Sequence, residues 1–346
     1  TVDPAQGGSP QDYFNTVLYT GNASTQNITG VGFQPDWIWI KERSSTSSHA
    51  LFDSVRGVNK VLASDLADEE DTSNSTLMTA FGSDGFSLGD NNRTNQNTET
   101  YVAWNWKAGT AFSNDASSTG VGSIDSAGSV NTDVGFSIIG YTGTGSNGTI
   151  AHGLGVTPEM YIVKRRDADG HSWPVYTSTL GATKQLRLSG TNAEITTANI
   201  WNNTEPTSSV FSVGTNTDSN ASSGTYIAYC MASVDGYSKF GSYTGNGNAD
   251  GSFVYTGFRP AFVLIKSTTA VESWYIFDTN RDPSNLTTQY LNPNLSNAES
   301  NATDEDRSID ILSNGFKCRG SNSSINNGSY IYMAIAEQSQ KYSNAR

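Results

Sequence analysis

The amino-acid sequence predicts an all-β protein made of three tandem copies of a β-sandwich or jelly-roll-like unit, each of about 100 residues with little helix. Hydrophobic residues are only 35% of the 346 residues, yet aromatic residues reach 11%. Short apolar and aromatic runs alternate with Gly, Asn and Ser clusters, a pattern typical of strands joined by tight turns. The third observation is a set of motifs that recurs in the same order.

Each copy opens with a Tyr-Thr-Gly triplet, which begins at Tyr19, Tyr141 or Tyr243. A proline, a lysine, an aromatic residue and a phenylalanine follow at nearly fixed distances. Next comes a glycine, and twelve residues after it an aromatic residue that lies in the last strand. In chain order these five anchors are Pro35, Lys41, Phe52, Phe86 and Tyr101; Pro158, Lys164, Tyr176, Phe211 and Tyr226; and Pro260, Lys266, Phe277, Phe316 and Tyr332.

These anchors place copy one at 13–107, copy two at 134–232 and copy three at 238–337, between a linker-like segment at 1–12 and a C-terminal tail at 338–346. The Ser/Gly-rich segment 108–133 is predicted to be a flexible linker that sets copy one apart. Only a few residues join copies two and three, so these two are predicted to pack closely.

The strand that follows the proline is apolar on both faces, as in Trp37–Ile40 of copy one. Successive strand residues face opposite sides of a sheet. The strand is therefore predicted to lie in the core, with its second face covered by another sheet, another copy or another chain.

Charge and motifs exclude several classes of function. The net charge of −13 argues against a nucleic-acid partner, and no apolar run is long enough to predict membrane insertion. The His and Cys residues belong to no recognisable catalytic motif, and the acidic runs lack the pattern of a Ca²⁺ loop. We therefore predict no enzymatic activity, no catalytic residue, no cofactor and no metal site, although 33 acidic residues could hide a glycosidase carboxylate pair.

Two charged pairs at equivalent positions are predicted to be structural ion pairs: Asp53 with Arg56 and Asp278 with Arg281. Copy two lacks both charges together, as a buried pair would require, because one member left alone would be costly. A ligand site that uses an Asp and an Arg at this spacing is the alternative.

Trp201 is the candidate for ligand binding, together with Asn202 and Asn203. It lies outside the repeated anchors and is flanked by amide side chains. A tryptophan in such a setting could stack on a sugar.

Several segments resemble a repeat found in virion structural, tail-fibre-like proteins of marine tailed phages and cyanophages. They include YFNTVLYTGN, WIWIKERSS, HGLGVTPEMYIVKRR, YTGFRPAFVLIK and YIYMAIAE. The resemblance covers nearly the whole chain. It implies a location on the virion surface and carries over no catalytic residue.

The leading hypothesis is therefore a phage virion structural protein, a tail fibre or surface appendage that contacts host-surface polysaccharide. The expected partners are other virion proteins, further copies of the chain in a homo-oligomer such as a trimer, and a host glycan. One alternative is a capsid decoration protein with a purely structural role, and a second is a host-glycan-degrading enzyme.

Overall fold

The computed structural model describes residues 8–301 and 305–337, and its regular structure is almost entirely antiparallel β. The predicted C-terminal tail, 338–346, thus lies outside the described residues. Part of the linker-like N-terminal segment forms a 3₁₀ turn at Pro10–Asp12. Within the described ranges, no helix is long and apolar enough to cross a membrane.

The strands fall into three groups, which we call lobe one (14–106), lobe two (136–231) and lobe three (238–336). Lobe one contains β1 Phe14–Thr20, β2 Gln26–Thr29, β3 Trp37–Glu42, β4 Ala50–Asp53, β5 Ala80–Gly82, β6 Gly85–Leu88, α1 Asn92–Asn95 and β7 Thr100–Trp106. A hairpin follows, with β8 Thr110–Asn114, α2 Ala116–Thr119 and β9 Ser126–Asn131. Lobe two contains β10 Phe136–Thr142, β11 Gly148–Ala151, β12 Met160–Arg165, β13 Pro174–Thr177, β14 Lys184–Arg187, β15 Ile195–Thr196, β16 Val210–Val213, α3 Thr217–Asn220 and β17 Thr225–Met231. Lobe three contains β18 Ser238–Thr244, β19 Phe253–Tyr255, β20 Pro260–Ser267, β21 Trp274–Asp278, β22 Gln289–Tyr290, β23 Ser300–Asn301, a 3₁₀ turn Glu305–Arg307, β24 Ile309–Leu312, β25 Gly315–Cys318 and β26 Ser329–Ala336.

The main sheets of the three lobes share one strand order. It is β1-β7-β3-β4 in lobe one and β18-β26-β20-β21 in lobe three. Lobe two has the same core, β10-β17-β12-β13, extended by β14 and β15 on one side and by β9 and β8 on the other. A smaller sheet covers the outer face of each main sheet: β2-β6-β5, β11-β16 or β19-β25-β24.

The Tyr-Thr-Gly triplets have the same role in each lobe. Their tyrosine stacks on a tyrosine of the paired last strand, with ring centroids 4.8–5.0 Å apart: Tyr19 on Tyr101, Tyr141 on Tyr226, and Tyr243 on Tyr330. The third anchor predicted at Tyr332 is therefore wrong by two residues. The segment between Gly320 and the last strand is two residues shorter in lobe three, so equal spacing selects the wrong tyrosine.

Each lobe also contains a buried asparagine next to the triplet, which the spacing of the motifs did not reveal. The side-chain amides of Asn95, Asn220 and Asn326 donate to the carbonyl oxygens of Gly89, Gly214 and Gly320, at 2.6–2.7 Å. The glycine of each triplet packs directly on this segment. A Cβ at Gly21, for example, would lie 2.1 Å from the Gln96 carbonyl oxygen, so only glycine fits.

The prediction of a flexible linker at 108–133 is wrong. Strand β9 pairs with the edge strand β10 over Ser126–Asn131, and β8 adds a further strand. Gly128 allows the close pairing, because a Cβ there would lie 1.8 Å from the Ile138 carbonyl oxygen. The composition resembles that of a linker, but an unpaired sheet edge supplies hydrogen-bond partners that composition does not show.

Lobe one is not set apart, so that prediction is also wrong. The inner faces of the three main sheets form one shared hydrophobic core. Trp37 of lobe one stacks on Tyr229 of lobe two with ring centroids 4.4 Å apart, and Phe14 of lobe one meets Phe262 of lobe three at 5.6 Å. Three separate cores fill the space between each main sheet and its smaller sheet. Another copy therefore covers the second face of the central strand.

Loops close the three lobes into a ring. In each lobe, the segment that follows β4, β13 or β21 provides a backbone carbonyl that accepts a hydrogen bond from a ring nitrogen of the next lobe, at 2.9–3.0 Å. The contacts are Trp173 Nε1 to Ala63 O, Trp274 Nε1 to Arg187 O and His49 Nε2 to Asn292 O. Each lobe thus contacts both of the others in the cyclic order one, two, three, one.

His49 replaces a tryptophan in this ring, and its surroundings fix its charge. Its Nδ1 accepts a hydrogen bond from Trp39 Nε1 at 2.8 Å, so Nε2 carries the proton that is shared with the Asn292 carbonyl. Complete burial lowers the pKa of His49 well below its usual range. The imidazole is therefore neutral and structural.

Candidate functional site

Trp201 cannot be a ligand-stacking residue, because its side chain is fully buried in the core of lobe two. Its ring packs edge-on against Tyr161 with centroids 4.9 Å apart, and its Nε1 donates to the Lys184 carbonyl at 3.1 Å. Asn202 and Asn203 form the turn that follows, both with positive φ. The flanking amides that suggested a binding site are turn residues, so the prediction for Trp201 is wrong.

Asp53 and Arg56 form an ion pair in which both side chains are fully buried. Arg56 Nη1 also contacts Glu70 Oε2 at 3.0 Å, and Glu70 Oε1 pairs with Arg166 of lobe two at 2.9 Å. The hydroxyl of Tyr229, also in lobe two, donates to Asp53 Oδ2 at 2.8 Å. This network joins lobe one to lobe two.

Asp278 and Arg281 form the equivalent buried pair between lobes three and one. Arg281 Nη1 contacts Glu299 Oε1 at 2.7 Å, and Glu299 Oε2 pairs with Arg43 of lobe one at 2.8 Å. Trp104 Nε1 of lobe one donates to Asp278 Oδ2 at 3.0 Å. Two of the three lobe junctions therefore contain the same arrangement.

The junction between lobes two and three lacks this arrangement except for its glutamate, Glu194. Thr177 and Leu180 replace the Asp and Arg, while Met333 and Thr268 occupy the positions of the donor and of the second arginine. The Glu194 amide still donates to the Thr268 carbonyl at 2.9 Å, as the Glu70 amide does to Arg166 at 2.8 Å. The buried Asp–Arg pair, its hydrogen-bond donor and the second arginine are absent together, and Glu194, at the position of Glu70, pairs with Lys184 of its own lobe instead. The Asp–Arg pairs therefore serve lobe packing rather than ligand binding.

Three buried lysines lie at one equivalent strand position: Lys41, Lys164 and Lys266. Their ammonium groups donate to backbone carbonyls, such as the His171 carbonyl, 2.6 Å from Lys164 Nζ. Burial lowers the pKa of each lysine to about 8, an effect that nearby carboxylates only partly oppose for Lys164. The protonated form is therefore less favourable in the folded protein than in the unfolded chain.

The free energy of unfolding is expected to rise between pH 8 and about pH 10, because these lysines have a lower pKa in the folded protein than in the unfolded chain. In the unfolded chain the lysines keep their protons up to the ordinary pKa of a lysine side chain, whereas in the folded protein they release them near pH 8. Stability rises with pH wherever the unfolded state binds more protons than the folded state. Urea unfolding at pH 7.5, 8.5 and 9.5 should show the wild type gaining stability relative to Lys164→Met. All other titrating groups are common to both proteins, so a constant difference between them would contradict the lowered pKa of Lys164.

The histidine nearest to acid and hydroxyl groups, His171, does not form a nucleophile-base pair. Its Nδ1 lies 2.9 Å from Asp218 Oδ1, but the Ser172 hydroxyl donates to Asp218 Oδ2 at 2.6 Å rather than to the imidazole. Arg165 Nη1 lies 3.0 Å from His171 Nε2. A serine nucleophile needs the imidazole as its base, so this cluster has the wrong connectivity for acyl transfer. In the part of the chain that the structure describes, no group of three or more His, Cys, Asp or Glu could hold a metal ion.

The feature best placed for recognition is an exposed aromatic pair on β19 of lobe three. Tyr255 is 65% exposed and Phe253 is 47% exposed, and the residue between them, Val254, is buried. Residues two apart in a strand face the same side, so both rings lie on the outer face of the smaller sheet. Cross-strand neighbours on this face are Lys317, opposite Phe253, and Gly315, opposite Tyr255. We call this surface the aromatic face (Phe253, Tyr255, Gly315 and Lys317).

The same positions in lobes one and two carry no exposed aromatic residue. The register of the smaller sheets aligns Phe253 with Asn27 and Thr149, and Tyr255 with Thr29 and Ala151. In lobe two the hairpin covers this strand, with the Ser123 amide donating to the Thr149 carbonyl at 2.9 Å. The aromatic pair is therefore specific to lobe three and is not required by the shared fold.

A groove of about 460 Å³ lies beside Tyr255. It runs between the turn that connects lobes two and three and the loop after β19, and Ser233 and Thr256 are among the residues that line it. Lys239 and Asp235 add one charge of each sign. The groove thus combines an aromatic wall, hydrogen-bonding groups and charge.

A larger groove of about 740 Å³ separates the hairpin from lobes one and two. Its lining is rich in Ser, Thr, Asn and Asp, and its one aromatic residue, Tyr141, is stacked on Tyr226 and buried. It offers hydrogen bonds without an exposed ring, so it is less suited to stacking.

The sequence analysis missed the aromatic face because it used Tyr255 only as the first residue of YTGFRPAFVLIK, one of the segments that carry the family resemblance. A signal was nevertheless present. Strand alternation around the apolar Val254 predicts that its two neighbours point outward, and only copy three has aromatic residues at both positions.

A family model described as Domain of unknown function (DUF7483) matches residues 9–339. The search of curated proteins finds no match to the chain.

Proposed function

The chain belongs to the DUF7483 family, a domain of unknown function, and we propose that it is a virion structural protein that contacts host-surface polysaccharide through the aromatic face of lobe three. In this proposal it forms part of a tail fibre or another surface appendage. The observation that carries the binding role is the exposure of Tyr255 and Phe253 beside a groove with hydrogen-bonding groups.

Aromatic side chains combine a large apolar surface with low conformational entropy, so an exposed pair is unusual unless a partner covers it. Sugars present an apolar face of C–H groups together with a rim of hydroxyls. The groove volume of about 460 Å³ falls within the range of about 300–1,000 Å³ typical of small-molecule sites. The Ser233 hydroxyl oxygen accepts from the Phe240 amide at 3.1 Å and can donate its own proton to a sugar, whereas the Thr256 hydroxyl already donates to the Phe258 carbonyl at 2.6 Å.

A rigid body suits an appendage that must present such a face. The common strand order, the stacked tyrosine pairs and the equivalent ion-pair networks support an origin as three tandem β-sandwich domains of about 100 residues. The location on a virion rests on the sequence resemblance described above. Contact through one small site would be weak, and several copies on one particle would strengthen it.

A capsid decoration protein is the second candidate, and the cyclic arrangement of the lobes favours it. Each lobe contacts the next in a closed ring around one shared core, so the body has approximate threefold character. Such a shape fits a threefold position of a capsid as well as the axis of a trimeric fibre. Imaging of labelled protein on virions distinguishes the two, since decoration places the label over the capsid and an appendage places it on a projection.

Replacing Tyr255 with alanine is expected to weaken binding to purified host-surface polysaccharide about tenfold. Loss of one stacked ring costs about 1–2 kcal/mol, and about 1.4 kcal/mol corresponds to a factor of ten. Binding of the full chain to immobilised polysaccharide, compared with the Phe253→Ala and Tyr255→Ala variants, measures this. Val271→Ala is the matched control, because Val271 is 73% exposed and lies in a loop of lobe three outside the groove.

Equal binding by wild type and Tyr255→Ala would contradict the proposal. If Tyr255→Ala instead lowered the oligomeric mass by sedimentation and left glycan binding intact, the aromatic face would be a protein interface. Release of soluble sugar by the wild type would contradict a purely non-catalytic role.

A further inference from the structure

We propose that the groove beside Tyr255 selects an acidic saccharide, one whose ring carries a carboxylate, and that Lys239 recognises this carboxylate. The inference rests on the proposed glycan-binding function and specifies the class of sugar.

Lys239 lies on β18, in the wall of the groove that also contains Tyr255. Its side chain is exposed. Within the described ranges it makes no hydrogen bond or ion pair, so its ammonium group is available to a ligand.

The other cations near the aromatic face are already paired. Lys317 forms an ion pair with Asp250, and Arg319 Nε lies 3.4 Å from Asp310 Oδ2. These pairs leave little net charge at the rim of the face. Lys239 therefore supplies the cation that a bound anion would meet within the groove.

The second charge in the lining, Asp235, restricts how a ligand is oriented. A carboxylate next to Asp235 would be repelled. A uronate unit fits the two charges when its carboxylate faces Lys239 and points away from Asp235, and its C–H face lies on the Tyr255 ring. A neutral sugar would leave the charge of Lys239 unused.

The net charge of −13 does not prevent this contact. At physiological salt, charges farther apart than about 8 Å are largely screened. The local charge of the groove therefore matters more than the total charge. Recognition should still weaken as salt is added, because an exposed ion pair is salt-sensitive.

The test uses the full chain on surfaces coated with polygalacturonate or, as the neutral polymer, dextran. Wild type is expected to bind polygalacturonate more tightly, and Lys239→Gln is expected to lower this binding about two- to fivefold per site, in line with an exposed ion pair of up to about 1 kcal/mol. Lys239→Arg should retain it, because it keeps the positive charge. Weak binding to dextran should not change in either variant.

Two outcomes would overturn the inference. Either Lys239→Gln binds polygalacturonate as tightly as wild type does, or its affinity falls by the same factor for both polymers. These results leave the proposed function standing if Tyr255→Ala still reduces binding to host polysaccharide. Failure of the proposed function itself has a different signature, namely that Tyr255→Ala has no effect on host polysaccharide or on either polymer. Lys60→Gln is the matched control for removal of a lysine charge, because Lys60 lies in lobe one, outside the groove.

Discussion

Arg56→Leu is expected to lower the free energy of unfolding by about 3–5 kcal/mol, because it leaves Asp53 charged, buried and without its ion-pair partner. Glu70 loses one of its two arginines in the same step and keeps Arg166. Urea unfolding at neutral pH measures the loss.

The junction between lobes two and three provides the control for this prediction. There Thr177, Leu180 and Met333 occupy the positions of Asp53, Arg56 and Tyr229. The triple variant Asp53→Thr, Arg56→Leu, Tyr229→Met copies that apolar solution into the junction between lobes one and two. It should recover most of the stability that Arg56→Leu loses, since replacing a buried ion pair together with its hydrogen-bond donor is far less costly than removing one member, and Glu70 keeps its pairing with Arg166. A triple variant as unstable as the single one would show that the network is not a self-contained unit.

Trp37→Ala is expected to cost a similar amount, about 3–5 kcal/mol, through loss of a large side chain and the cavity left behind. Trp37 is almost fully buried in the shared core, where its ring stacks on Tyr229 at 4.4 Å and lies 4.4 Å from the ring of Trp106. Thermal unfolding should shift to lower temperature as one transition, because residues of all three lobes line this core. Separate transitions for separate lobes would contradict that expectation.

The all-β class was predictable and is confirmed, because alternation of apolar residues and turn residues is a local property of the sequence. Motifs within one strand or turn were also placed well. Tyr19 and Tyr141, for example, stack on Tyr101 and Tyr226, the tyrosines that spacing selected. The third pairing was misjudged because a loop between Gly320 and Tyr330 has changed length, and spacing alone cannot show a deletion.

Features that depend on contacts between distant segments were not predictable. Segment 108–133 has the composition of a linker, and only the open edge of β10 makes it a pair of strands. The sequence allowed another sheet, another copy or another chain to cover the second face of Trp37–Ile40, and only the fold shows that other copies cover it. Trp201 was misread because neighbouring asparagines indicate a turn, and a turn does not determine whether the preceding side chain points into the core.

The candidate site shows the same limit. Val254 and its neighbours indicate by alternation that Phe253 and Tyr255 point outward, but the groove beside them is formed with a turn about twenty residues earlier in the chain. The equivalent strand of lobe two has the same alternation and is covered by the hairpin. Exposure of an outward residue is therefore a property of the assembled lobes.

The proposed architecture requires the three lobes to form one cooperative body around their shared core. Hydrogen exchange of wild type and Trp201→Ala, measured by mass spectrometry, tests this directly, because Trp201 lies in the core between the main and smaller sheets of lobe two, apart from the shared core. If the lobes unfold together, the slowest-exchanging amides of β20 and β26 in lobe three should lose the same free energy of protection as those of β12 and β17 in lobe two. Loss of protection confined to lobe two would show that the lobes are independent domains and would contradict the account.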